Sequence, residues 1–308
     1  MMDWWRALWG GLRGGAEARS VSPAARSIEG SGGAAAAAAD DTESALLAWL
    51  LHSDAPRAGG IDAAESRAVA RLDALLGAAH TPTELLPRAP AVIPQLLSLL
   101  RQGDASLPAM SQRVMQDYRL TAEVLRQAGS AAYRAQGAAA ADVEQALALL
   151  GTDGLKAVIA RVVLRPLFAG QAGRLSALAT ARVWAHAERE AHCAAALAAE
   201  QGLDRFDGYL GGLVHGTGWI VAFRELDRLE PPLALPFSRG FVELLLPRKD
   251  LLFGKVVGSW QLSPALNALC ADASQRRLAQ ARSPLGAVLE QAQREAALQL
   301  LRGSVAAE

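Results

Sequence analysis

The chain has 308 residues, of which 51% are hydrophobic, and its 31 Lys and Arg balance its 31 Asp and Glu to a formal net charge of zero. That balance excludes a nucleic-acid binder working by bulk electrostatics, which needs a basic surface. The length allows one large domain or two modest ones. The two cysteines, Cys193 and Cys270, stand in no metal-type spacing and are expected to be reduced thiols.

In chain order, Trp4, Trp5, Leu8, Trp9 and Leu12 fall on one face at helical spacing, with Asp3, Arg6 and Arg13 mostly elsewhere. Three tryptophans in so short a stretch need a cover. The stretch docks on its own domain, in a partner's groove, or on a membrane surface through residues 1–13. It does not read as a signal peptide, since Asp3, Arg6 and the Gly10-Gly11 pair interrupt it. No apolar run reaches the roughly 18–20 residues of a span, so a cytoplasmic location is expected. Ala16–Ala39 reads as a Ser, Gly and Ala linker, which makes residues 1–40 a flexible extension.

From Asp40 onward the period is helical. Asp41 or Thr42 is placed to cap a helix carrying Leu46, Leu47, Leu50 and Leu51. Ile61–Leu76 follows, with Val69, Leu72, Leu75 and Leu76 in phase. After a proline-punctuated stretch, Pro94 opens a helix carrying Leu96 and Leu100, and Ser106 caps one carrying Met110, Val114 and Met115 that ends at Asp117. Further helices are predicted over Leu120–Ala128, Ala141–Leu150, Gly154–Leu164, Leu175–Gln201 and Phe206–Leu229. Period-two alternation is nearly absent. The fold class is therefore all-α, a bundle of many helices. Its expected core includes Leu96, Leu100, Val114, Leu125, Leu150, Leu213 and Trp260.

An ordered set of short motifs runs through this bundle. It opens with Leu86-Pro87, Pro90, Leu99-Leu100 and Asp104, then Asp117 with Leu120 and Leu125 to Ala131. Ala146, Leu149-Leu150-Gly151 and Leu155 follow, then Trp184-Ala185-His186, Leu210 to His215, and Trp260-Gln261-Leu262-Ser263. Together they resemble the HDOD domain, a helical domain related to HD and HD-GYP phosphohydrolases, over residues 86–271, roughly six tenths of the chain. On that basis residues 81–308 read as an HDOD-like helical domain, behind a helical lead-in over 41–80.

The resemblance implies what is missing. An HD-type site holds divalent metal with two His and two Asp, lowering the pKa of a bound water and clamping phosphate oxygens. His186 and His215 match the two histidines, but Gly216 stands where the first Asp belongs. Trp219 replaces a family Lys. Two imidazoles without carboxylates are a poor hard-metal site. His186 and His215 are thus read as vestigial cleft histidines, ahead of residual metal binding or an unrelated ligand pocket. No metal and no cofactor are expected. His192 is expected on the surface, and Glu188 and Glu190 on a charged helix face. The expected function is non-catalytic: a signalling scaffold contacting another protein, in a two-component or cyclic-dinucleotide pathway as the resemblance implies, with no nucleic-acid partner. Trp4, Trp5 and Trp9 are the docking candidates. The competing readings are a divergent metal-dependent phosphohydrolase and a nucleotide sensor using the old HD cleft.

Overall fold

The computed structural model describes residues 32–79, 85–86, 114–129, 142–169 and 173–305. Trp4, Trp5, Trp9, most of the linker, His80, Leu96, Leu100, Asp104 and Ser106 lie outside the described residues. The helical period is met by α1 (Gly32–Leu50), α2 (Ala63–Gly77), α3 (Tyr118–Ala128), α4 (Val143–Leu164), α5 (Arg174–Glu200), α6 (Arg205–His215), α7 (Thr217–Leu226), α8 (Arg239–Gly258), α9 (Pro264–Ala273) and α10 (Pro284–Val305). Short 3-10 turns follow α4 and precede α10. Among the described residues there is no strand, only an isolated bridge between Arg57 and Ser238.

The starts of these helices are written in side chains. Asp62 accepts from Ala64 and Glu65 backbone N–H groups while Glu65 reaches back to the Asp62 N–H, a reciprocal capping box. Asp117, Asp142, Asp204, Ser238 and Ser263 cap α3, α4, α6, α8 and α9 in the same manner. Asp117 thus begins a helix as well as ending one. Three boundaries differ from expectation, and the first is that the helices expected over Ala141–Leu150 and Gly154–Leu164 run as one α4, bent at Gly151 where φ is 64°. Asp41 and Thr42 lie inside α1, not at its cap, because the alanine run before them has the highest helix propensity and carries the helix back to Gly32. The single helix expected over Phe206–Leu229 is broken at Gly216, with no side-chain cap and the Thr217 hydroxyl donating to the Val214 carbonyl at 2.7 Å.

The long α5 is the spine. It carries Ala187, Ala191, Ala194, Ala195 and Ala198, all buried. Against this alanine stripe α6 lays Gly208 and Gly212, one turn apart. A Cβ on Gly212 would come within 2.6 Å of the Ala191 backbone, and one on Gly208 within 2.6 Å of the Ala194 carbonyl oxygen. The two backbones therefore touch where side chains ordinarily separate them. Helices α6, α7, α10 and α1 pack around α5, and α8 closes the bundle against α7, α9 and α2.

The lead-in is stapled to this body. Glu65 accepts from the Ser238 N–H at 2.8 Å and its hydroxyl at 2.6 Å. Arg71 bonds Glu225, Arg248 bonds Asp73, and the Lys255 ammonium covers the last carbonyls of α2. Of the expected core residues, Val114, Leu150 and Leu213 are buried. Leu125 is 37% exposed, because Leu120, Val124 and Ala128 make the inner face of α3. Trp260 is only half-buried, at the end of α8.

Candidate functional site: a charge cluster in the old metal cleft

The antiparallel pairing of α5 and α6 decides which side chains meet. His186 and Glu190 lie one turn apart on α5, and His215 ends α6 at the same level. Glu190 stands between the histidines, with Oε1 2.7 Å from His215 Nδ1 and Oε2 3.5 Å from His186 Nδ1. The expected charged helix face is therefore wrong for Glu190, which is 0% exposed. The short approach of α6 through Gly212 brings its own end onto the buried side of α5. Glu188 is half-buried and pairs with Arg161 of α4.

Helix α8 supplies the rest. Asp250 Oδ1 lies 3.5 Å from His215 Nε2, and Asp250 Oδ2 accepts the Leu278 N–H at 2.9 Å. Lys249 is 0% exposed. Its ammonium sits 2.7 Å from Asp250 Oδ1, 3.1 Å from Gln293 Oε1, 3.5 Å from Glu43 Oε1 and 5.3 Å from the Trp219 ring centroid. Glu43 arrives from α1, where it also pairs with Arg277 at 3.3 Å and takes the Gln293 amide. The Trp219 that replaced the family Lys thus carries a lysine from another helix over its face.

Buried charges persist only when paired. Here three carboxylates, Glu43, Glu190 and Asp250, face three cationic groups, Lys249, Arg277 and His215. Burial works against a charged His215, but the Glu190 carboxylate against its Nδ1 and the Asp250 carboxylate near its Nε2 hold its pKa above the usual histidine value. Burial also opposes Asp250, which Lys249 and His215 nevertheless hold well below the carboxylate range. Lys249 is held above its ordinary value in spite of burial, by Asp250 and Glu43. Glu43 is pushed up, since burial outweighs Lys249 and Arg277. His186 is the exception. Burial lowers its pKa to about 4, so it is neutral near pH 7.

The cluster is compensated in charge more fully than in hydrogen bonds. Both ring nitrogens of His186, His215 Nε2 and Glu190 Oε2 have no hydrogen bond of ordinary geometry. Asp250 Oδ1 meets Lys249 as an ion pair, off the hydrogen-bond direction.

This donor set does not fit a metal centre. Among the described residues no group of three or more His, Cys, Asp or Glu side chains is arranged to hold a metal ion, and an ammonium already lies against the Asp250 carboxylate. The surroundings of Gly216 are also tight and apolar where the lost Asp would stand. A Cβ there would stand 3.0 Å from the Phe168 ring, 3.2 Å from Ala187 Cβ and 3.3 Å from Val183 Cγ1. These are apolar neighbours, with Phe168 itself packed edge-on to Trp184 at 5.0 Å.

Sequence reasoning found the two histidines and missed Glu190, Lys249, Asp250 and Glu43. Glu190 had a signal, four residues beyond His186 and so on the same face. The others had none within the motifs, since Glu43 comes from a helix before them and Lys249 and Asp250 from one between the His215 and Trp260 motifs. His192, expected on the surface, packs edge-on to Tyr209 at 5.4 Å between α5 and α6. His52 is exposed, as befits a residue with no assigned role.

No curated protein sequence matches the chain. An HDOD domain protein of unknown function from Geobacter sulfurreducens is similar over 74% of this chain and 77% of its own, at 21% identity and a TM-score of 0.48. A proposed metal-dependent phosphohydrolase from Shewanella amazonensis SB2B is similar over 75% of this chain and 82% of its own, at 19% identity and a TM-score of 0.55. The latter likeness shows the same helical fold. The family model of the HDOD domain matches residues 86–230, which hold His186, Glu190 and His215 on α5 and α6. That stretch of the chain is an HDOD domain.

Proposed function

We propose that this protein is a non-catalytic regulatory module that acts through contacts with another protein, in bacterial signal transduction. The observation that carries the reading is the Lys249 ammonium against Asp250, beside His215. A lysine in that place supplies the positive charge that a metal would otherwise bring, without a bound water to activate. Gly216 supports the same reading, because its surroundings are filled by Phe168, Val183 and Ala187. Signalling through a partner comes from kinship with the family, and the partner's pathway, two-component or cyclic-dinucleotide, rests on that analogy. Trp4, Trp5 and Trp9 are the proposed docking side chains.

Two measurements test this. Purified protein is assayed for hydrolysis of cyclic dinucleotides and nucleotides with Mn²⁺, Mg²⁺ or Fe²⁺, and turnover at background is expected. A rate that exceeds background and disappears in His215→Ala protein would instead establish a phosphohydrolase. In a pull-down, full-length protein should retain a partner that the Trp4→Ser, Trp5→Ser, Trp9→Ser triple variant loses.

A further inference from the structure

Helix α3 and the turn before it carry an apolar stripe that the rest of the molecule leaves exposed. Met115, Tyr118 and Leu125 are 54%, 75% and 37% exposed, three of the five large hydrophobic side chains exposed among the described residues. Tyr118, Ala122 and Leu125 stand at i, i+4 and i+7 on one side of α3, turned away from the buried Leu120, Val124 and Ala128. Exposed apolar side chains scattered singly are ordinary, but a cluster marks a surface that binds something.

The charge beside the stripe says what covers it. Arg119 and Arg126 each follow a stripe residue by one position, so they lie along one flank, roughly 100° round the helix. Arg126 is spent on Glu123, and Arg161 of α4 on Glu123 and Glu188. Arg119 instead donates to the neutral Tyr118 phenol oxygen at 3.0 Å. Asp117 beside it is occupied in capping, accepting the Arg119 and Leu120 N–H groups. Arg165, at the end of α4, lies over the Trp184 ring at 5.7 Å. Among the described residues neither Arg119 nor Arg165 makes an ion pair. Both stand at the same end of the helix pair. Glu123 meets Arg161, and one turn further along α3 Gln127 shares a small cavity with Gly154 and Ala157, earlier in α4. The two helices therefore run antiparallel, and one turn back from Glu123 brings Arg119 to the level of Arg165.

We propose that this face of α3 docks an acidic amphipathic helix of a partner protein, with apolar side chains over Met115, Tyr118 and Leu125 and carboxylates at Arg119 and Arg165. Two other occupants fit less well. A second copy packed antiparallel on α3 would set the arginine flank against itself. An anionic bilayer favours a broad basic face, and here Glu123 and Glu188 neutralise Arg126 and Arg161. The docking rests on the reading of the protein as a module that acts through protein contacts, and uses a surface apart from Trp4, Trp5 and Trp9. Hydrolysis assays judge the non-catalytic reading separately from peptide binding.

The test uses the full chain. It is titrated into a fluorescein-labelled helical peptide of about 18 residues, five turns, with leucines along one face and glutamates on the flanks. A control peptide keeps the leucines and has lysine for glutamate. Saturable binding of the glutamate peptide, followed by fluorescence anisotropy at up to about 100 µM and about tenfold tighter than the lysine peptide, is expected. Tyr118→Ser with Leu125→Ser should weaken it about tenfold or more, as loss of interface anchors does. Arg119→Glu with Arg165→Glu should abolish the preference for glutamate. All four positions are exposed, and an unchanged circular dichroism spectrum separates loss of the surface from loss of the fold. Arg119→Glu alone serves if the double charge variant does not fold. Sedimentation velocity and co-sedimentation with phosphatidylglycerol vesicles test the other occupants. No binding of the glutamate peptide, or binding unchanged in the folded variants, overturns the proposal. So does a dimer that Tyr118→Ser with Leu125→Ser makes monomeric, or vesicle binding that Arg119→Glu removes.

Discussion

His186 and Lys249 are buried in the same cluster and yet should answer mutation in opposite ways. His186 is neutral near pH 7 and makes no hydrogen bond of ordinary geometry, so replacing it with Leu exchanges unsatisfied polar atoms for apolar ones. The urea midpoint of His186→Leu should move by less than the equivalent of about 1 kcal/mol, or rise. Lys249→Met, by contrast, leaves Asp250 and Glu43 as buried carboxylates short of a cation, and should lower stability by about 3–5 kcal/mol. The acid limb follows from the same histidine. Its pKa is about 4 in the folded state against an ordinary 6.5, so between those values the unfolded chain binds the extra proton. Stability therefore falls as pH drops from 6.5 to 4, by at most about 1.4 kcal/mol per unit for this group. His192 contributes in the same direction. His215, held above its ordinary value, contributes stability that is complete below pH 6.5 and is lost as pH rises through its folded pKa. Melting temperatures across this range should show a flatter acid limb in His186→Leu than in the wild type.

At the scale of elements, the α5–α6 pair is set by what its glycines leave out. Gly212→Ala would press a methyl group onto the Ala191 backbone, which cannot step aside as a flexible side chain can. The cost should be about 1–3 kcal/mol or more, read from the urea midpoint. Gly303→Ala in α10, where nothing lies within 4 Å, should instead be neutral or stabilising by about 0.5–1 kcal/mol. The same contrast explains what was legible in the sequence. Helix periods placed the elements up to α7, because the pattern is local, as with Leu72 and Leu75 on one face of α2, whereas the cap was misplaced at Asp41 and Thr42 and unread at Asp62 and Glu65. The ordered motifs brought His186 and His215 together. The break at Gly216 escaped the apolar period, which runs through it without a change of phase. Lys249 and Asp250 read as ordinary charges, since what buries them is α1, α7 and α10, far off in sequence.

For the whole molecule, the boundary of the family and the boundary of the core are different lines. The HDOD stretch ends at residue 230, yet Lys249, Asp250, Arg277 and Gln293 follow it and Glu43 precedes it. A fragment of residues 86–230 keeps His215 and Glu190 but loses the partners that balance them and the α8 and α10 faces that cover α5, α6 and α7. Such a fragment should show no cooperative thermal transition by circular dichroism, whereas residues 32–305 should unfold in one. Glu43 gives this arrangement a mechanical consequence. Helix α1 is fastened at the centre of the body as well as at its surface, through a carboxylate shared by Lys249, Gln293 and Arg277. A load on the chain upstream of Gly32 reaches that carboxylate through the helix, and drawing it out would take from the buried Lys249 ammonium one of its two carboxylate partners and from Arg277 its Glu43 partner. The helix should therefore hold firmly up to a threshold and then let go in one step, as a latch does.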